Sequence, residues 1–222
     1  MWYTLSDFVR ITCEGRDPSH GHQHMEQVSL NSLHIFKELS GKKFLLNWNN
    51  HDQLRIIITV AWLHDVADHK YDNDGTLEHT VKSGINNFFY KKEDQDLVWN
   101  IINRISFSKE NKARLENKTL DWDDVLGIEG KFIRNIVSDA DKLEAIGQIG
   151  IDRCIMYSKE KYLEKYGHNI SNNELIKEVK IHADEKLLRL KDEFIHTEPG
   201  KKMAEPLHQE MVDFLNSPDF NI

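Results

Sequence analysis

Apolar and polar positions along this chain repeat mostly with a helical period. Over 25–39, Val28, Ile35, Phe36 and Leu39 recur near 3.6-residue spacing and Gly41 follows as a stop signal, which predicts an amphipathic helix. The stretch 52–67 is apolar around most of its circumference and predicts a central helix packed on several sides. Its polar lead-in, Asn47-Trp48-Asn49-Asn50, makes Asp52 the expected N-cap ahead of the apolar run from Leu54. Val98, Ile101, Ile102 and Ile105 define another helix face, after which 106–117 turns polar and basic without a clear period and reads as a loop. Phe132, Ile133, Ile136, Val137, Ala140, Leu143 and Ile146 predict a helix over 128–149, ending near Gly150, with Asp141 on or beside its buried stripe. Ile176, Val179, Ala183, Leu187 and Leu190 predict another over 173–194, stopped by Pro199-Gly200, and a last helix spans about 203–215, with Pro218 beyond it.

Composition narrows the class to all-α. Charged residues make up 30% of the 222-residue chain, and Gly (11) and Pro (4) are few, which suits helices better than a sheet sandwich. One domain over 1–222 is expected, with a core of about 20–155 and C-terminal helices of about 173–216 packed on it. A net charge of -8 argues against the broad basic surface that extended nucleic-acid binding needs, though a small basic pocket is compatible with it. Cys13 and Cys154 stand far apart without metal-type spacing, so neither a disulfide framework nor a cysteine zinc site is indicated. The longest apolar run, 56–63, is far short of the ~18 residues a membrane span requires. With no basic-then-apolar segment at the start, a cytoplasmic, reducing location is the expectation.

Two adjacent His-Asp pairs occur. His51-Asp52 sits in the polar lead-in, whereas His64-Asp65 follows the apolar run, where buried polar groups need partners such as a metal ion or a salt bridge. The latter has ordered company: Ser19-His20-Gly21-His22-Gln23-His24 upstream and Asp139-Ala140-Asp141-Lys142-Leu143 downstream. In this order the motifs resemble the HD superfamily of metal-dependent phosphohydrolases, sharpest for the small HD hydrolases that resemble nucleoside triphosphate pyrophosphohydrolases. Ile105-Ser106-Phe107, the stretch from Gly147 to Arg153, and 182–191 look like the same subgroup, while the place of its usual Arg-His pair reads Leu207-His208.

The resemblance implies a compact multi-helix HD-domain bundle with a small C-terminal helical extension, presenting two His and two Asp ligands to one divalent cation. Of His20, His22 and His24, the family pattern places the ligand at His24, with His20 lining the site. His64 and Asp65 are the next two ligands. Aligning the last motif makes Asp141 the fourth, with Asp139 orienting a histidine beside it. Asp68 is the implied general acid or base, and Lys70, Lys142 and Arg153 are the implied phosphate clamps. A mixed nitrogen and oxygen set with two carboxylates suits Mn²⁺, and also Mg²⁺, Fe²⁺, Co²⁺ or Ni²⁺.

The expected activity is hydrolysis of a phosphoester or phosphoanhydride of a small-molecule nucleotide, with (d)NTP pyrophosphohydrolysis as the specific form. A metal-bound but inactive nucleotide-sensing module is the second reading. Dinuclear chemistry needs extra ligands, and only His69 and His79 lie between Asp65 and Asp141.

Overall fold

The computed structural model describes residues 2–17, 20–41 and 48–217, except for the side chains of 2, 3 and 48–50. Within them the chain forms ten α-helices and no strand: α1 (Trp2–Thr12), α2 (His22–Ser40), α3 (Trp48–Leu63), α4 (Thr76–Phe88), α5 (Lys92–Ile102), α6 (Phe107–Leu115), α7 (Trp122–Leu143), α8 (Gly147–Tyr166), α9 (Asn172–Glu185) and α10 (Glu198–Asn216). The all-α expectation is met. The chain divides into two compact units, Met1–Ala140 and Asp141–Ile222. The division falls inside α7, whose last turn continues the same helix through Leu143.

The first unit is built around α3, which packs against α1, α2 and α5. Ile56, Ile57, Val60, Ala61, Trp62 and Leu63 are all buried, as expected of a helix that is apolar most of the way round. The buried core of this unit also holds Leu5 and Val9 of α1, Met25, Val28, Ile35 and Phe36 of α2, Val98 and Ile101 of α5, and Ile133, Ile136 and Val137 of α7. Each large aliphatic side chain so buried contributes about 1.5–3 kcal/mol.

Three local expectations are corrected here. α3 starts at Trp48, so Asp52 is an exposed residue within the helix and not its N-cap. The segment read as a loop contains α6, whose N-cap Ser106 accepts from the Lys109 amide. Its inward residues are Ala113 and Glu110, the latter fully buried and paired with the equally buried Arg134 of α7 at 2.9 Å. Arg134 also donates to the Arg104 carbonyl at 2.8 Å and lies 3.6 Å from the centre of the Trp122 ring. The helix expected over 128–149 begins earlier, with a break at Gly127, and ends at Leu143.

The second unit contains α8, α9 and α10. A new helix, α8, starts at Gly147, whose φ of +76° excludes side chains at low cost, and where a Cβ would meet the Glu210 carboxylate at 3.0 Å. The same carboxylate accepts from the Gln148 amide, covering a backbone donor of the first turn. Ser171 and Glu174 form a capping box on α9. The helix expected to run on to 194 stops at Glu185 and continues as short turns of other pitch, Leu187–Arg189 and Leu190–Phe194. Pro199 starts α10 rather than stopping its predecessor: Thr197 caps that helix, and a proline in its first turn forfeits only an amide without an intrahelical acceptor. Pro218 lies outside the described residues.

Candidate metal centre

The apolar character of α3 carries the chain into the core and delivers His64 just past its last residue. The His64 amide still bonds to the Val60 carbonyl at 2.9 Å, so the ring is anchored to the helix end. Its Nδ1 lies 2.9 Å from the Ala61 carbonyl. A carbonyl only accepts, so Nδ1 carries the proton and Nε2 is left as the ligand atom of the neutral ring.

His24 sits in the first turn of α2, 5% exposed, with its ring centre 5.4 Å from that of His64. Asp141, on the last turn of α7, completes the arrangement: one ligand atom each from His24, His64 and Asp141 lie within 4.8 Å of one another. Two imidazoles and a carboxylate at that spacing can converge on one cation, and the donor set fits a divalent ion of the Mn²⁺ to Zn²⁺ series. Asp139 is fully buried but is not in this group, so the geometry favours Asp141 of the two aspartates. Asp65 is half-buried and is also outside the group; burial first raises the pKa of the Cys13 thiol and the Tyr71 phenol, and the charge of Asp65 adds to it.

The remaining predicted residues are placed as follows. Asp68 is a quarter exposed and accepts from the Lys70 amide at 2.8 Å, closing its own turn. Lys70 is exposed, near the Tyr71 ring. Lys142 is 2% exposed on the last turn of α7. Arg153, on α8, donates to the Glu144 carbonyl at 2.7 Å within the second unit. His20 is half-buried, its Nδ1 donating to the Asp17 carboxylate at 3.0 Å, and Ser19 lies outside the described residues. His22 bonds to the Ser6 hydroxyl at 2.7 Å and packs against Trp62, a structural role.

Three residues that sequence reasoning did not single out surround this region: Arg16, Asp17 and Tyr71. Tyr71 donates to Asp17, and its pKa is pushed up to about 12 by burial first and by that carboxylate next. Arg16 lies 4.3 Å from the centre of the Tyr71 ring and reaches the backbone at 65 and 66. No local spacing marks these contacts, since they join positions about fifty residues apart.

Relatives carry the same architecture. Bacillus subtilis YpgQ, described as an uncharacterized protein, is 33% identical over 176 residues, which cover 76% of this chain and 73% of YpgQ. An HD-superfamily hydrolase from Bacillus thuringiensis superposes over 96% of this chain and 92% of its own, with a TM-score of 0.62 and 26% identity. The chain belongs to the HD superfamily. The crystal structure of YpgQ in complex with ADP matches this HD protein over 98% of its length and 95% of YpgQ, with a TM-score of 0.65 and 24% identity. No protein-family model matches the chain. Among the described residues of this HD protein, no helix is long and apolar enough to cross a membrane.

Proposed function

We propose that this HD protein hydrolyses nucleotides with one divalent cation, Mn²⁺ first among the candidates, and that it acts as a (d)NTP pyrophosphohydrolase. The observation that carries the reading is the approach of His24, His64 and Asp141 to within 4.8 Å. Nucleotide chemistry is supported by the relative YpgQ, whose structure was obtained with ADP.

When bound, the cation supplies the Lewis acidity that makes water nucleophilic near neutral pH and offsets charge on phosphoryl oxygens. The chain's own residues do the rest. The Ala61 carbonyl holds His64 in the tautomer that presents Nε2. Asp141, with Asp65 as fourth ligand, brings the charge of the set to -2. Lys142, Lys70 and Arg153, with His20, bind the anionic phosphate chain. Asp68, kept in its turn by the Lys70 amide, takes the proton released as water adds to phosphorus.

The test is incubation with Mn²⁺ and a panel of ribo- and deoxynucleotides, reading phosphate and pyrophosphate separately, with Asp65→Ala as control. Pyrophosphate and nucleoside monophosphate in equal amounts are expected, and neither from Asp65→Ala. Release of phosphate alone would contradict pyrophosphohydrolysis. Tight nucleotide binding without any turnover would make the protein a sensing module instead.

A further inference from the structure

Arg16 lies outside every motif on which the family resemblance rests, yet its guanidinium grips the turn that follows α3. Nη1 donates to the Asp65 carbonyl at 3.1 Å and Nη2 to the Val66 carbonyl at 2.6 Å. α3 ends at Leu63, so these carbonyls belong to the turn just beyond the helix C-terminus. A cation is favoured at a helix C-terminus, and a planar fork with several fixed N–H groups can serve two carbonyls at once. The Asp65 carbonyl also accepts the Asp68 amide at 3.3 Å, so the turn that bears Asp68 is joined to the same point.

The guanidinium is itself held. Gly15, with φ of +80°, reverses the chain after α1 at a conformation that other residues reach only at a cost, and brings Arg16 back toward α3. The Tyr71 ring packs 4.3 Å from the guanidinium carbon. The Tyr71 hydroxyl donates to Asp17, which also accepts from His20 Nδ1 at 3.0 Å. Arg16 is thus fixed by two carbonyls and one ring, and the ring by a carboxylate of the neighbouring residue.

We propose that Arg16 is a positioning residue for the metal centre. By holding the carbonyls of Asp65 and Val66 it fixes the turn in which His64 and Asp65 present their ligand atoms, and Tyr71 with Asp17 keeps the guanidinium in place. The proposal rests on the metal-centre reading above.

The experiment is an Mn²⁺ titration followed by the electron paramagnetic resonance of the free ion. It uses the full chain as wild type, Arg16→Ala, Arg16→Lys, Tyr71→Phe and Asp141→Ala, with circular dichroism and thermal midpoints of the metal-free proteins. Arg16→Ala is expected to weaken Mn²⁺ binding about 10–100-fold, the usual effect of losing a group that orients ligands. Arg16→Lys recovers part of that loss, and Tyr71→Phe, which keeps the ring, loses less than Arg16→Ala. Wild-type affinity in a folded Arg16→Ala overturns the positioning role and leaves the metal centre standing. No Mn²⁺ binding by the wild type, or undiminished binding by Asp141→Ala, overturns the centre itself. If Arg16→Ala does not fold, Arg16→Lys and Arg16→Gln carry the test, and wild-type affinity in both overturns the proposal.

Discussion

His51-Asp52 lies near the start of α3 with both side chains exposed, whereas His64-Asp65 follows the last residue of the same helix with both half-buried. The dipeptide is identical at the two ends, and its surroundings are not. At the first end Asp52 borders an open groove with Asp94 and Glu129, where solvated carboxylates need no further partner. At the second, the Ala61 carbonyl fixes the His64 ring, Arg16 holds the following turn, and His24 and Asp141 come within 4.8 Å. A carboxylate and an imidazole become a metal site when the fold removes water and aims them at a common point.

Five outcomes would break or sharpen that contrast. The largest concerns activity: His64→Ala or Asp141→Ala should lower Mn²⁺-dependent kcat/KM by ~10³-fold or more, the scale of losing a Lewis acid worth several kcal/mol, while His51→Ala leaves it unchanged. Next comes stability. Glu110→Gln leaves the fully buried Arg134 without its counter-charge and should cost about 3–5 kcal/mol in urea unfolding. Asp52→Ala, at an exposed position inside α3, should stay within about 0.5 kcal/mol in the same assay. Ser171→Ala, which removes a true N-cap, should cost about 1 kcal/mol and thereby separate a cap from a residue that only resembles one. The smallest effect is alkaline. Burial first and the Asp17 carboxylate next push the Tyr71 phenol up to about 12, so the stability its neutral form contributes is complete below pH 10 and is lost as the pH rises through about 12. Ultraviolet titration should show one phenol ionising near pH 12 that Tyr71→Phe removes.

Much of the first unit was legible because its helices bury apolar residues on one face: α2 and α3 follow their period, and α7 carries its own into the last motif. α6 was hidden because, beside the small Ala113, the residue it turns inward is Glu110, whose partner Arg134 lies 24 positions away. α8 was hidden for the opposite reason. Its buried face is made of Gly147, Gly150, Cys154 and Ser158 with Ile151 as its one large apolar residue, whereas Ile149, Met156 and Leu163 point to solvent, so most of its apolar positions mark the wrong side. Gly150 itself is required by packing, since a Cβ there would lie 2.2 Å from the Ala145 carbonyl. In the site, His24, His64 and Asp141 were readable through ordered motifs. Arg16 was not, because a contact to backbone carbonyls depends on no particular side chain at its far end, and so leaves no partner residue to recognise.

The central claim is that the second His-Asp pair, and not the first, belongs to a metal centre. The most direct measurement is the Mn²⁺ binding isotherm of the wild type beside those of His64→Ala and His51→Ala. One Mn²⁺ per chain is expected for the wild type and for His51→Ala, with equal affinity, and no saturable binding for His64→Ala. Wild-type binding by His64→Ala would contradict the account.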